Sequence, residues 1–311
     1  MTVNSANASP RSKAGLSRVF TWLRALRLPF YPMSWLGYTL GASLVVPVTD
    51  VWRLPAYWLG YVVVFSVEAL TVFTNDLHDF ESDRRNQNHG RFNGGSRVLV
   101  EGRLTRAELK RGCRLMRLSA IVAAAVLLIY SPAPAVANLT CFGAALVLGA
   151  GYTAPPLKLS HRGWGEITVA FVHSVLVLQS GASAVGGAIA QPGLMNAALP
   201  LFLAIMPSIS LSGLPDFYAD KAAGKRTLAV VFGSRAVLLI AIACSVTAAV
   251  LASHWKENWP GWAVIGVRLH SLAMVVAIVA KWRSAPGSKI DGVIAVSLLY
   301  ILWFTLVQLF A

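Results

Sequence analysis

The chain has 311 residues, of which 56% are hydrophobic and 13% charged, with a mean hydropathy of +0.61 and a formal net charge of +14. That composition is too apolar for an ordinary water-soluble domain and places the chain in lipid. The apolar stretches follow one another with little room for a separate soluble domain, so one helical membrane domain is expected.

Residues 1–17 are polar and rich in small residues, and are expected to form a flexible cytoplasmic arm ahead of a single transmembrane domain over 18–311. The first apolar stretch is long for a signal-peptide core and shows no cleavage site, so it reads as an uncleaved first helix. Spans are predicted at 29–49, 56–75, 115–131, 135–153, 165–188, 193–214, 232–253, 262–280 and 291–310. Each approaches or exceeds the roughly 20 apolar residues that cross a hydrocarbon core. The expected class is all-α, a polytopic membrane protein of about nine helices.

Nine spans alternate sides, and the basic residues test the alternation. With the amino terminus inside, 24 of the 27 Lys and Arg residues fall on the cytoplasmic side, leaving Arg53, Lys256 and Arg268 opposite. This is the bias that orients membrane proteins. Topology and anionic lipid therefore account for the net charge, and no nucleic acid is implied. Cys113, Cys141 and Cys244 lack CxxC spacing, which suggests neither a disulfide framework nor a thiolate metal site.

Acidic residues gather at two places on that same side. In Asn75-Asp76-Leu77-His78-Asp79-Phe80-Glu81-Ser82-Asp83, helical spacing stacks Asn75, Asp79 and Asp83 one turn apart with Asp76 beside them. Asp216 and Asp220, four apart at the end of the sixth span, form a second stripe. Like charges at this spacing repel, so a countercharge is called for. Oxygen ligands without thiolates or paired histidines favour a hard cation, and Mg²⁺ keeps few protein ligands while sharing its shell with substrate phosphates. Magnesium diphosphate is the expected ligand. Lys158, in Tyr152-Thr-Ala-Pro-Pro-Leu-Lys, and Lys225, after Asp220, are placed to hold phosphate oxygens. The plain alternative for a lone DxxxD pair is a solvated interfacial helix; two clusters on one face weigh against it.

Within the spans, Glu68 lies two turns before Asn75, and an acid at that depth faces a cavity or a partner. It is expected either to bind the acceptor substrate or to pair with a neighbouring helix. Trp58, Tyr61 and Phe65 recur at helical spacing, as tunnel lining or as ordinary packing. Glu166, His173 and Ser180 repeat every seven residues as a further polar stripe.

These residues resemble the UbiA family of intramembrane prenyltransferases. Asn75, Asp76, Asp79 and Asp83 match its NDxxDxxxD motif, and Asp216 and Asp220 its DxxxD motif; Gly224-Lys225-Arg226-Thr227-Leu228 follows as in the family. Gly95-Ser96-Arg97-Val98-Leu99, Tyr152 through Lys158 and Gly163-Trp164-Gly165-Glu166 look like the branch that prenylates 1,4-dihydroxy-2-naphthoate for menaquinone or phylloquinone. One departure is that Tyr152 and Lys158 are separated by five residues where the family pattern is often YxxxK. The resemblance, covering roughly residues 20–310, implies a nine-helix bundle around a central cavity whose mouth carries both motifs.

It further implies Mg²⁺-dependent transfer of a prenyl group from a polyprenyl diphosphate to an aromatic acceptor, in the plasma membrane with the mouth cytoplasmic. Asn75, Asp79, Asp83, Asp216 and Asp220 are the expected metal-binding residues, and Asp76 completes the catalytic acids. Arg97, Tyr152, Lys158 and Lys225 are expected on the diphosphate, with Arg84 and Arg162 as lesser candidates. The acceptor is expected to be 1,4-dihydroxy-2-naphthoate, with 4-hydroxybenzoate, homogentisate, a chlorophyllide, haem or a secondary-metabolite ring as alternatives. The competing class is an ion-coupled transporter or lipid-binding protein, whose ion sites usually sit near the bilayer midplane, whereas most acids here lie at one interface. Oligomeric state and prenyl chain length are not readable from the sequence.

Overall fold

The computed structural model describes residues 10–254, 259–284 and 286–310, with side-chain surroundings from residue 17 onward. Among these residues there is no strand. In chain order the helices are α1 (Pro10–Leu26), α2 (Tyr31–Ser43), α3 (Val48–Val51), α4 (Pro55–His78), α5 (Phe80–Arg85), α6 (Arg106–Tyr130) and α7 (Ala135–Gly151). They continue as α8 (Gly165–Phe171), a π-helical turn at Val172–Leu176, α9 (Val177–Ala184), α10 (Leu194–Ser212), α11 (Phe217–Ala222), α12 (Leu228–His254), α13 (Gly261–Val279) and α14 (Asp291–Phe310).

Seven helices are long and apolar enough to cross a membrane: α4, α6, the continuous α8–α9 segment, α10, α12, α13 and α14. The shorter α7 and α2 occupy the fourth and first predicted spans. The protein is an all-α, polytopic membrane protein. Its outward faces carry bare apolar side chains, such as Leu115, Leu118 and Val122 on α6 and Leu269, Leu272 and Val276 on α13, while small hydroxyl residues lie inside. Ser66 meets Ser119 at 2.9 Å, and Ser271 donates to the Ser245 carbonyl at 3.0 Å, the kind of polar contact that joins helices where lipid supplies no hydrophobic drive.

Several boundaries differ from expectation: the first span ends at Ser43, where residues 44–47 turn ahead of α3, and others shift for local reasons. The third span starts at Arg106, nine residues early, because Thr105 and Glu108 form a reciprocal capping box that begins the helix outside the apolar stretch. Gly233 (φ 81°, ψ 165°) interrupts helical geometry inside α12, so its membrane-length part begins beyond that residue. α1 starts at Pro10, inside the segment expected as a flexible arm; residues 1–9 lie outside the described residues, as does Lys256. α1 is tied down by Arg24, which donates to both Glu101 carboxylate oxygens at 2.8 and 2.6 Å, and by an Arg18–Glu108 ion pair.

The tightest helix crossing is α2 against α9. A methyl group at Gly41 would overlap the Leu178 backbone, and one at Gly181 would overlap the Tyr38 carbonyl. This contact fixes α8–α9, one wall of the central cavity, against the first span. Gly41→Val is expected to force the helices apart, at an overpacking cost of about 1–3 kcal/mol. The check is a lower thermal midpoint of the detergent-purified variant, with Gly143→Val, where a side chain meets open space, as the neutral control.

Candidate active site

Both acidic motifs come from helix ends at the same mouth of the bundle. Asp76 ends α4, Asp79 links it to α5, and Asp83 lies on α5; Asp216 caps α11 and Asp220 lies within it. Their meeting point is Lys225, whose Nζ lies 3.1 Å from Asp79 Oδ2 and 3.2 Å from Asp220 Oδ1. Local sequence explains that placement. In Asp220-Lys-Ala-Ala-Gly-Lys225, Gly224 takes φ +71°, its N–H donates to the Lys221 carbonyl, and the Lys225 N–H donates back to the Asp220 carbonyl. This is the Schellman ending of a helix, and it folds Lys225 back over the carboxylate five residues before it.

The loop after α5 closes over the acids. Asn86 and Asn93 donate to Asp216 Oδ1 at 2.6 and 2.9 Å, and the Gly94 N–H reaches Asp216 Oδ2 at 3.4 Å. Ser96 donates to Asp76 through both its N–H and its hydroxyl. Gly95 (φ +72°) passes so close to Asp83 that any side chain there would strike the carboxylate. The Thr153 hydroxyl donates to the side-chain amide oxygen Oδ1 of Asn75 at 2.8 Å, tying α4 to the end of α7.

The acids and Lys225 line a cleft of about 150 Å³ together with Arg27, Asn75, Tyr152 and Glu166. Burial pushes Asp83 up to about 7, reinforced by Asp79 and Asp76 and opposed by Lys225. Burial pushes Asp220 to about 7 as well, against the pull of Lys225. Asp216 is also raised by burial, though the Asn86 and Asn93 amides offset part of this. For Lys225 burial alone would lower the pKa, but Asp79 and Asp220 override it and keep the ammonium charged. One ammonium cannot neutralise so many carboxylates, and the excess negative charge makes the cleft a receiver of cations.

A second cavity of about 240 Å³ lies against the cleft, lined mainly by aliphatic side chains of α4, α7, α8–α9, α10 and α14. Arg27, Asn75, Phe92, Tyr152, Ile209 and Ser212 line both spaces and form a collar between them. Among the described residues Glu68 and His173 are the ionisable side chains that line only the apolar chamber.

The site residues named from the sequence thus divide. Asn75, Asp76, Asp79, Asp83, Asp216, Asp220, Tyr152 and Lys225 share the cleft, and Glu68 lines the chamber. Arg97 and Lys158 line neither: Arg97 (φ +64°) donates to the Asp83 carbonyl at 2.9 Å and holds the loop, and Lys158 is an exposed residue at φ +45°. Arg84 pairs with Glu81 at 2.8 Å on the outer face of α5, and Arg162 is exposed. Tyr61 and Phe65 pack against Trp35, Tyr38 and Tyr31 instead of lining the chamber, and Trp58 donates to the Trp52 carbonyl. The chamber face of α4 is Val64, Glu68, Thr71 and Asn75.

Sequence reasoning missed Arg27, Asn86, Asn93 and His161. Arg27 adopts φ +56°, sits 5.3 Å from the Phe30 ring centre and turns into both cavities; its signal was its place as the last cation before the first span. His161 Nε2 stands 3.8 Å from Asp79 Oδ1. The two asparagines lie in a loop with no periodic signal.

Among the described residues no three His, Cys, Asp or Glu side chains converge tightly enough to hold a metal ion by themselves. The donor set still fits Mg²⁺ shared with a diphosphate. It is all oxygen at the mouth of a buried cleft, and Asp79 Oδ1 is buried without a hydrogen-bond partner. Asn75, Asp79, Asp83, Asp216 and Asp220 would hold the ion.

Comparison with known proteins agrees with this architecture. The model of the UbiA prenyltransferase family matches residues 30–306. Lycopene elongase/hydratase of Corynebacterium glutamicum is 25% identical over 250 residues, 79% of this chain and 82% of its own length. Digeranylgeranylglyceryl phosphate synthase of Methanoregula boonei is 32% identical over 114 residues, 37% of this chain and 40% of its own. A UbiA homolog from Archaeoglobus fulgidus, solved with GPP and Mg²⁺, shares the fold with a TM-score of 0.65 at 19% identity, over 93% of this chain and 99% of that one. The apo UbiA homolog from Aeropyrum pernix K1 gives 0.59 at 14%, over 88% and 95%.

Two outcomes are expected of the cleft. Lys225→Met leaves Asp79 and Asp220 facing each other, so the metal-free protein should lose on the order of 3 kcal/mol and respond to Mg²⁺ with a larger rise in thermal midpoint than the parent. An equal Mg²⁺ response would show that lysine and metal do not share those carboxylates. Because burial pushes both Asp83 and Asp220 up to about 7, Mg²⁺ must displace their protons, and its affinity should fall roughly thirtyfold from pH 7 to pH 6 in a calorimetric titration, about fivefold for each acid.

Proposed function

This chain belongs to the UbiA prenyltransferase family, and we propose that it moves the prenyl group of an Mg²⁺-bound prenyl diphosphate in the cleft onto a carbon–carbon double bond of an apolar acceptor in the chamber. The observation that carries the proposal is the pairing of an acid-lined cleft with an apolar chamber through one shared collar. Anionic leaving group and hydrocarbon each have a compartment, and the bond between them lies at the boundary.

Bound Mg²⁺ would supply charge neutralisation for the departing diphosphate. Lys225 and Arg27 offer the remaining phosphate oxygens an ammonium and a guanidinium, and the Tyr152 hydroxyl stands at the collar. The loop from Asn86 to Arg97 keeps the carboxylates in place while their neighbours change charge. Below the collar the aliphatic walls keep water from the allylic cation until the acceptor's π electrons reach it. With the amino terminus inside, as the basic loops favour, the cleft opens to the cytoplasm of a plasma-membrane enzyme.

For the acceptor, an isoprenoid is the first reading. Among the described residues the chamber below the collar has no cation to pair with an acceptor carboxylate, and one curated relative is named for lycopene, an isoprenoid hydrocarbon. The second reading is 1,4-dihydroxy-2-naphthoate in menaquinone-type biosynthesis, favoured by Arg27, which reaches the chamber edge where it would meet that acid. The segments that resemble the naphthoate branch bear on the diphosphate end instead: Ser96 holds Asp76, Arg97 holds the Asp83 carbonyl, and Thr153 holds Asn75.

Asp79→Ala and Asp216→Ala should each lower transfer by roughly a thousandfold while leaving helix content and membrane insertion unchanged. The assay is protein in lipid nanodiscs with Mg²⁺, radiolabelled geranyl or geranylgeranyl diphosphate, and lycopene or 1,4-dihydroxy-2-naphthoate. Wild-type-like turnover in either variant would remove the metal assignment, and product from the naphthoate alone would select the second reading.

A further inference from the structure

His173 sits in the π-helical turn at Val172–Leu176, between α8 and α9, and lines the apolar chamber. A π-helical turn inside an α-helix is uncommon and recurs at functional sites. The imidazole Nδ1 lies 3.0 Å from the Val169 carbonyl oxygen. A carbonyl can only accept, so Nδ1 carries the hydrogen and the neutral ring leaves its lone pair on Nε2. Among the described residues Nε2 has no hydrogen-bond partner, and the ring lines the chamber wall, which leaves that lone pair free for a ligand there. Glu68 is the other ionisable side chain confined to the chamber, on the wall formed by α4.

Resting on the transfer reading above, we propose that His173 Nε2 is the base that takes the proton from the carbocation formed in the chamber. The balance is complete. The C1–O bond of the prenyl diphosphate breaks and its electron pair leaves with the diphosphate. The acceptor's π pair forms the new bond to C1, moving the positive charge onto the acceptor. The pair of an adjacent C–H bond then restores the double bond, and the proton passes to Nε2, giving an imidazolium that returns it to water when products leave. With no acceptor present, the same base takes a proton from the prenyl cation itself and yields a hydrocarbon with a conjugated diene end, the diene product, which is a triene overall for a geranyl group, whereas capture by water yields an alcohol.

That branch supplies a test with a defined probe, geranyl diphosphate and Mg²⁺ alone, on the full chain in nanodiscs. Total diphosphate release and the diene-to-alcohol ratio are measured separately. In His173→Ala and His173→Gln the ratio should fall at least about a hundredfold, the lower end of the usual worth of a positioned base. Total release should stay within about twofold of wild type. Added imidazole should restore the diene in the alanine variant and not in the glutamine variant, where the space is filled. An unchanged ratio in both variants, or a loss of release in step with the diene, overturns the assignment. Absence of diphosphate release from the wild-type protein would instead sink the transfer reading, and this inference with it.

Discussion

The protein is organised around a surplus of buried negative charge at one mouth of its helix bundle. Asp79 and Asp220, brought from distant parts of the chain, share a single ammonium, Lys225. Asp216 and Asp76 take their hydrogen bonds from Asn86, Asn93, Gly94 and Ser96. Leaving buried carboxylates unpaired is costly, so each contact holds its acid at a fixed place. The loop from Asn86 to Arg97 is irregular because its job is to present donors at carboxylate positions set by α4, α5 and α11, and Gly95 marks where backbone and carboxylate come too close for a side chain.

From this mouth the polarity drops over a short distance. The same helices that end in acids run back into an apolar chamber, and the collar of Arg27, Asn75, Phe92, Tyr152, Ile209 and Ser212 is where the character changes. An amphipathic substrate with an anionic head and a hydrocarbon tail is oriented by that gradient alone. Chemistry at the head–tail bond then needs no large motion of the chain. The glycine-mediated crossing of α2 and α9 keeps the chamber wall close to the collar, linking a packing detail within the bilayer to the geometry of the reacting bond.

Much of this was legible in the sequence, and physics says which part. Hydropathy marks spans because lipid demands it, and eight of the nine predicted segments fall on one continuous helical stretch each, while 29–49 is divided between α2 and α3 by a turn at 44–47. The two acidic stripes were visible because helical spacing makes them neighbours within one short segment. Arg27, Asn86, Asn93 and His161 escaped because their roles exist only after distant segments meet: Asn93 reaches Asp216 across 123 positions. Arg97 and Lys158 looked like phosphate ligands because a cation near an acid motif is the available clue. The structure turns Arg97 to a backbone carbonyl and leaves Lys158 exposed. The start of α6 was misplaced although Thr105 and Glu108 spell a capping box, a signal that hydropathy does not carry.

The same division explains why the acceptor is harder to read than the donor. Segments 95–99, 152–158 and 163–166, which resemble one branch of the family, contribute Ser96, Arg97, Thr153 and Glu166. These hold Asp76, the Asp83 carbonyl, Asn75 and the first N–H of α12. In the proposed reading these contacts serve the diphosphate end of the site, because the groups they hold line the acid cleft or border it. In the proposed reading the acceptor meets the chamber walls: the Val64–Glu68–Thr71 face of α4, the π-helical turn with His173, the aliphatic sides of α10 and α14, and Arg27 at the edge. Those walls are built from residues that vary in shape without altering hydropathy or motif, so two chains can share every recognisable signature and still take different acceptors.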